Sequence, residues 1–84
     1  MMFYVYVIYS EKFDKIYIGF TSNLKFRLEQ HNHPQNKGYT KRFQPWKIIY
    51  YEEFQSKSEA KTRENQLKSA KGRDFIWSLV NEKK

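Results

Sequence analysis

The sequence predicts an α+β domain in which a small three-stranded antiparallel sheet is flanked by helices, in the order β-β-α-β-α-α. Three runs rich in aromatic and β-branched residues predict the strands. Segments with apolar residues at helical spacing, one of them preceded by a capping sequence, predict the helices. We expect residues 1–84 to form a single domain, since no linker, repeat or low-complexity tract interrupts them.

The first two strands form a predicted hairpin. Phe3–Ser10 reads FYVYVIYS, which is typical of a strand covered on both faces. Lys15–Phe20 is a second such run, and only Glu11–Asp14 separates the two. A turn of this length predicts an antiparallel pair.

A helix and a long loop follow the hairpin. Asn23–Asn32 predicts a helix, because Leu24, Leu28 and His31 have the spacing of one helix face. His33–Pro45 contains both prolines and a glycine, so we expect an extended loop there.

The last part of the chain predicts a strand and two helices. Trp46–Phe54 has the composition of a third strand. Ser56 and Glu59 form a capping-box pattern, which predicts a helix starting at about residue 57. Gly72 is the expected C-cap of that helix, and Asp74–Val80 predicts a short final helix with an apolar stripe.

Composition and charge narrow the class of protein. Of the residues, 39% are hydrophobic and 19% aromatic, which excludes a disordered chain because bulky rings supply buried area. The absence of cysteine excludes disulfide scaffolds, thiolate zinc sites and cysteine nucleophiles. The formal net charge of +7 favours nucleic acid as partner, with a membrane surface as the alternative. No apolar run approaches the ~20 residues of a membrane span or has the features of a signal peptide, so we expect a cytoplasmic protein.

Two tyrosines on the hairpin are candidates for a reactive pair. A four-residue turn places strand positions of opposite parity on the same face, so Tyr6 and Tyr17 are expected to converge. The alternative is that both are ordinary strand residues, since strands favour tyrosine.

Two charged residues fall on helix faces that we expect to be buried. Arg27 either meets an anion there or extends past the edge of the core. Glu64 lies between Ala60 and Leu67 at helical spacing, so its carboxylate shares their face. A buried carboxylate meets either an arginine, with Arg27 the candidate, or a metal such as Mg²⁺, which can take one carboxylate with water and phosphate oxygens.

The two histidines, His31 and His33, are too few for a zinc site. His31 is a candidate acid or base near neutral pH, and equally a cation that stabilises the end of its helix.

Basic and aromatic residues alternate in the middle of the chain. Between Asp14 and Glu52 the only acid is Glu29. The segment Lys37–Trp46 reads KGYTKRFQPW, a pattern that can neutralise phosphates and stack bases. The residues expected to bind DNA are Lys25, Lys37, Lys41, Arg42 and Lys47.

These residues, in this order, resemble the GIY-YIG nuclease superfamily. The two name-giving motifs correspond to Tyr4-Val5-Tyr6 and Tyr17-Ile18-Gly19, although Tyr4 stands where the first motif has a glycine. The stretch YIGFTSNLKFRLEQHN continues the pattern through Arg27 and His31, and RENQLK carries the glutamate of the family as Glu64. The match covers most of the chain and is most similar to the small stand-alone branch of YhbQ-like and Slx-type proteins.

The resemblance implies a metal-dependent DNA endonuclease that hydrolyses phosphodiester bonds of branched or otherwise structured DNA in repair or recombination. By position, Glu64 would hold one divalent cation, Mg²⁺ or Mn²⁺. Tyr6 would act as general base or orient the attacking water, and Tyr17 would assist it. Arg27 would bind the scissile phosphate, and His31 would contribute to proton transfer. Arg27 and the cation would have to lower the pKa of the Tyr6 phenol, because a phenol is otherwise a poor base.

The five side chains are expected to line one concave surface beside residues 37–47. An alternative from a different class is a nucleic-acid-binding module with the same fold and little or no catalysis, needing a partner. The inward carboxylate of Glu64 favours the nuclease, because a binding module has no need of it. A structural or membrane-surface protein would explain the charge but neither Glu64 nor Arg27. A protein partner that supplies target specificity is a further expectation, and the oligomeric state is left open.

Overall fold

The chain folds around a sheet of three antiparallel strands. The computed structural model describes residues 1–83, and Lys84, the last residue of the predicted domain, lies outside them. The strands, in the spatial order β2-β1-β3, are β1 Phe3–Ser10, β2 Lys15–Thr21 and β3 Lys47–Phe54. The helices are α1 Leu24–His31, α2 Lys57–Lys68 and α3 Ala70–Glu82, with a 3₁₀-helix at Tyr39–Phe43. The predicted α+β class and order of elements are confirmed, and β2 is one residue longer than predicted.

One face of the sheet packs against α2 and α3. Val5 and Val7 of β1 are fully buried there, together with Ala60 and Leu67 of α2 and Ile76 of α3. The burial of Ala60 and Leu67 confirms the predicted inner face of α2.

The other face packs against α1 and the loop that follows it. Tyr6 and Ile8 of β1 lie there with Trp46, and Leu24 and Leu28 of α1 pack against them. Because side chains alternate along a strand, β1 is covered on both faces, as predicted, and the sheet separates α1 from α2 and α3.

Short polar side chains set where α1 and α2 begin. Asn23 accepts a hydrogen bond from the Phe26 backbone N–H at 3.0 Å, so α1 starts one residue later than predicted. Ser56 accepts one from the Glu59 N–H at 3.2 Å and donates to the Glu59 carboxylate at 3.0 Å. The predicted capping sequence therefore starts α2 at residue 57.

The predicted role of Gly72 as the C-cap of α2 is wrong. Ser69 ends α2 and also caps α3, where its hydroxyl accepts the Gly72 N–H at 3.3 Å. Gly72 thus lies in the first turn of α3, which begins four residues before the predicted Asp74. A Cβ at Gly72 would lie 2.5 Å from the Leu67 Cα, so glycine is required here for the close approach of two helix backbones.

The predicted extended loop His33–Pro45 contains the 3₁₀-helix, and β3 begins one residue after the predicted Trp46. Trp46 is buried, and its indole N–H donates to the Thr40 carbonyl at 2.7 Å. Its backbone N–H donates to the Asn32 side chain at 2.6 Å. These bonds hold the loop against the end of α1. Among residues 1–83, no helix has the length and apolar character needed to cross a membrane.

Candidate active site

Tyr6 and Tyr17 lie on the same face of the hairpin, as predicted. Tyr6 pairs with Gly19 across the two strands, and Ile8 pairs with Tyr17, so the two tyrosines are diagonal neighbours. Their ring centroids are 6.5 Å apart. A Cβ at Gly19 would lie only 2.6 Å from the Tyr6 hydroxyl. The glycine therefore leaves the space in which the Tyr6 ring lies across β2.

Arg27 reaches this face from α1. It is half-buried, and its Nε donates to the Tyr6 hydroxyl at 3.4 Å while its Nη1 donates to Gln30 at 3.1 Å. Among residues 1–83, Arg27 forms no ion pair with a carboxylate. A carboxylate is thus not the anion that Arg27 meets. The charge of Arg27 is therefore available to another anion in the cleft.

His31 is buried at the end of α1, with one hydrogen-bond partner on each ring nitrogen. Its Nε2 lies 2.8 Å from the Tyr6 hydroxyl and its Nδ1 lies 2.9 Å from the Thr40 hydroxyl. Its ring centroid is 4.9 Å from that of Tyr17. The contacts bring His31 together with both tyrosines.

The hydrogen bonds around Thr40 indicate which nitrogen of His31 carries the proton. The Asn36 Oδ1 accepts the Gly38 backbone N–H at 2.8 Å, which fixes the orientation of this amide. The Asn36 Nδ2 therefore donates to the Thr40 hydroxyl, also at 2.8 Å. Since the Thr40 oxygen accepts from Asn36, its own hydroxyl proton needs an acceptor, and among the described residues Nδ1 of His31 is the one within reach. His31 is then protonated on Nε2, and this N–H donates to Tyr6.

Burial makes His31 a neutral group. Desolvation, followed by the positive charge of Arg27, lowers the pKa of His31 from 6.5 to about 4. The expectation of an acid or base titrating near neutral pH, or of a cation at the helix end, is therefore wrong for the free protein. His31 acts instead as a neutral donor to Tyr6.

The pKa of Tyr6 moves opposite to the predicted direction. Burial raises the pKa of the phenol above its usual 10, and this outweighs the lowering by the hydrogen bond and charge of Arg27. The neighbouring Tyr17 and Glu64 raise the pKa further. Tyr6 therefore keeps its proton at neutral pH in the free protein.

The cleft above these groups is small and opens beside the loop. Its volume is about 240 Å³. Its walls are formed by Tyr17, Arg27, Gln30, His31, Asn36, Gly38, Tyr39 and Thr40. A larger cavity of about 520 Å³ lies at the other end of β1, where it is lined by Tyr9 and Lys47 but by none of the five predicted catalytic residues.

Neither Asn36 nor Thr40 is among the residues predicted from the sequence. Short polar residues are common in loops, so nothing in their pattern separates them from ordinary turn formers. Their role is visible only through their contacts with His31.

Of the five predicted residues only Tyr17, Arg27 and His31 line the cleft, so the expectation of one concave surface shared by all five, Glu64 included, is wrong. Glu64 belongs to α2, whose inner residues pack on the sheet face opposite Tyr6. Glu64 is 5% exposed, and its carboxylate is held by Lys61 at 2.7 Å and Lys68 at 3.4 Å. These lysines, rather than the suggested Arg27, are its partners.

A second hollow lies next to the cleft at the outer strand β2. Tyr17 and Tyr39 line both hollows, and Lys68, which contacts Glu64, lines the second one. The negative charge of Glu64 also contributes to the raised pKa of Tyr6. The carboxylate is thus electrostatically coupled to the phenol although it belongs to the other layer.

The described chain offers a divalent cation one protein ligand. Among residues 1–83, no three His, Asp or Glu side chains are grouped as a metal site. Mg²⁺ keeps several waters and accepts few protein ligands, so a single carboxylate fits it if one lysine moves aside. The side chains of Lys61 and Lys68 are about half exposed, so either can turn into solvent.

The five residues expected to bind DNA are all exposed. Lys25 belongs to α1, while Lys37 and the 3₁₀-helix residues Lys41 and Arg42 belong to the loop. Lys47 is placed differently, since it lines the larger cavity and forms an ion pair with Glu11 at 3.1 Å.

Comparison with known proteins identifies the family of the chain. The model of the GIY-YIG catalytic domain matches residues 2–77. A UPF0213 protein of Staphylococcus haemolyticus is 39% identical over 79% of each chain, and one of Streptococcus pyogenes is 41% identical over 96% of this chain and 91% of its own. The solution NMR structure of a UPF0213 protein from Bacillus halodurans superposes with a TM-score of 0.55, at 27% identity, over 94% of this chain and 85% of the other. The chain therefore belongs to the GIY-YIG catalytic domain family.

Proposed function

We propose that the protein is a Mg²⁺- or Mn²⁺-dependent endonuclease that hydrolyses phosphodiester bonds of branched or otherwise structured DNA, in repair or recombination. Membership of a nuclease family and the basic composition support DNA as the substrate. A DNA substrate also agrees with the cytoplasmic location expected from the sequence. A protein partner that selects the target remains part of this proposal.

The observation that carries the proposal is the set of donors around the Tyr6 hydroxyl. His31 and Arg27 both direct N–H groups at this oxygen, at 2.8 and 3.4 Å. An oxygen that accepts two bonds still has its own O–H to donate. A group held in this way can position a water molecule or a phosphate oxygen.

The side chains around Tyr6 divide the work of hydrolysis. Arg27 has no carboxylate partner within residues 1–83, so its guanidinium can bind the scissile phosphate and stabilise the charge of the transition state. Tyr6 positions the attacking water as a phenol, and accepts its proton only when the phenol has ionised. A divalent cation on Glu64 would supply positive charge that favours this ionisation and stabilises the leaving oxygen. The N–H groups of His31 and Arg27 then stabilise the phenolate by hydrogen bonds.

Cations on α1 and the loop supply a surface for the DNA backbone. Lys25, Lys37, Lys41 and Arg42 are exposed and form no ion pair within the described part of the chain. We assign to them the neutralisation of phosphates next to the cleft. Lys47 stays in the proposed set, but its bond to Glu11 has to break first.

One observation favours the alternative of a binding module with little catalysis. Both oxygens of Glu64 contact lysine ammonium groups, which compete with a cation for the same carboxylate. The two functions differ in whether the metal displaces a lysine when DNA is bound.

The test compares cleavage of plasmid, flapped and branched DNA by four proteins, each with Mg²⁺, Mn²⁺ or a chelator. The proteins are wild type, Glu64→Gln, Tyr6→Phe and the control Glu53→Gln, which alters an exposed carboxylate of β3. We expect metal-dependent cleavage by wild type and the control, and a loss of about 100-fold or more in the other two. Cleavage that persists in Glu64→Gln, or that never appears on any substrate, would reject the nuclease.

A further inference from the structure

A row of aromatic rings leads from the cleft to the turn between β1 and β2. Tyr17 and Tyr39 both line the cleft, and their rings are stacked with centroids 6.5 Å apart. The row itself consists of Tyr39, Phe43 and Phe13. The ring centroids of Tyr39 and Phe43 are 5.0 Å apart, and those of Phe43 and Phe13 are 5.5 Å apart. It therefore connects the proposed site of chemistry with the far end of the hairpin.

Two members of this row are open to solvent. Tyr39 is 53% and Phe13 is 40% exposed. Large rings are normally buried because each removes much apolar area from water. Tyr39 and Phe13 are joined through Phe43, which is half-buried, so the three rings form one partly exposed apolar patch. A patch of this kind indicates a binding surface rather than part of the core.

Cations accompany the rings. Lys12 lies over Phe13 with its Nζ 5.5 Å from the ring centroid, and Lys15 lies over Phe43 at 5.7 Å. Lys41 of the 3₁₀-helix is exposed as well. Rings and cations in alternation fit a ligand that has both flat apolar faces and negative charge.

The acids of the same turn are engaged elsewhere. Glu11 binds Lys47 at 3.1 Å, and Asp14 accepts the hydroxyl proton of Tyr9 at 2.6 Å. Lys47 therefore offsets the charge of Glu11, while Lys12 and Lys15 lie over the rings of the row.

We propose that this aromatic row, formed by Tyr39, Phe43 and Phe13, binds unpaired nucleotides of the DNA substrate. The bases of a duplex already stack on each other, so only unpaired bases offer their faces to exposed rings. The lysines bind the phosphates that join these nucleotides. The inference rests on the proposed function, and it makes a single-stranded arm beside the scissile bond the feature that the protein recognises.

Binding of fluorescent DNA separates this role from general affinity for phosphates. The inactive Glu64→Gln protein is titrated with a blunt duplex and with the same duplex carrying a single-stranded arm. Phe13→Leu and Tyr39→Leu are each added to this background. The control is Phe75→Leu on α3, because Phe75 is 41% exposed and lies on a helix that packs against the opposite face of the sheet.

We expect each row variant to weaken binding of the armed duplex about tenfold, from the loss of one stacked base, and to change binding of the blunt duplex less than about twofold. The dependence of affinity on salt should stay the same, because no cation is removed. Phe75→Leu should change neither affinity. Equal weakening for both DNAs, or no weakening for either, overturns the proposal.

Wild-type protein gives a readout that no substitution affects. On addition of a short single-stranded oligonucleotide, the NMR signals of the Tyr39 and Phe13 ring protons should shift, and those of Phe75 should not. Unshifted row signals at saturation overturn the proposal, as does self-association that Phe13→Leu abolishes, since the row would then be a protein interface.

The proposed function and this inference can fail separately. Arm-dependent binding without cleavage of any DNA rejects the nuclease and leaves the binding surface in place. Cleavage with equal efficiency with and without an unpaired arm rejects the binding surface and leaves the nuclease in place.

Discussion

The buried, neutral His31 predicts a specific loss of stability in mild acid. Its pKa falls from 6.5 to about 4 on folding, so the folded chain binds this proton less tightly than the unfolded chain. Between these two pH values the unfolded state holds more protons, and the free energy of unfolding therefore rises with pH. The stability is fully present above about pH 6.5 and is lost as the pH falls towards 4.

The size of the effect follows from the shift in pKa. A difference of about 2.5 pH units corresponds to about 3 kcal/mol of unfolding free energy. A domain of 84 residues has a total free energy of unfolding of roughly 4–12 kcal/mol. Lowering the pH through the range in which His31 titrates therefore removes a large part of this stability. Most of the loss should fall between pH 6 and about pH 4.5.

Urea denaturation at several pH values measures this contribution. The free energy of unfolding is determined between pH 7.5 and 4.5 for wild type and for His31→Gln, whose side chain does not titrate. We expect wild type to lose about 2–3 kcal/mol more than the variant over this range. The difference between the two slopes removes the contributions of the carboxylates, which both proteins share.

NMR provides a direct check on the same group. The chain has only two histidines, so His33→Gln leaves His31 as the one imidazole to follow. Its ring signals should titrate near pH 4. A midpoint near 6.5, or equal pH slopes for wild type and His31→Gln, would refute the argument from burial.

Two further predictions concern packing and the proton on His31. Gly72→Ala should lower the free energy of unfolding by about 2 kcal/mol or more, because the new methyl group meets the backbone at Gln66. Gly38→Ala, where the nearest atom is 3.4 Å away, is the matched control in the same denaturation series, and equal losses would contradict the contact. Thr40→Val removes the hydroxyl that donates to Nδ1 of His31, so long-range ¹H–¹⁵N spectra should show protonation moving from Nε2 towards Nδ1. An unchanged pattern of ring nitrogens would show that Thr40 does not set the tautomer.

The elements that could be predicted from the sequence are those whose signals are local. β1 has its predicted bounds because residues 3 to 9 are all aromatic or β-branched, which favours a strand. Ser56 starts α2 where its pattern indicates, because a cap acts over three residues. The place of Gly72 could not be predicted in this way. The contact that requires a glycine there joins α3 to the end of α2, and a local pattern does not show such a contact.

The candidate site could be predicted in part. The parity of strand positions places Tyr6 and Tyr17 on one face, and helical spacing turns Arg27 and His31 towards them. The spacing of Glu64 indicates burial correctly but not which layer of the fold it joins. That depends on the side of the sheet on which α2 packs, which no local pattern records.

The sequence by itself determined the class of fold, the family resemblance and the set of residues on which the chemistry is proposed to depend. Periodicity, caps and motif spacing act over a few residues and are readable along the chain. Only the tertiary structure decided that His31 is neutral, that Tyr6 holds its proton and that Glu64 is bound by two lysines. A pKa or an ion pair depends on burial and on partners distant in sequence, and these exist only when the layers have packed.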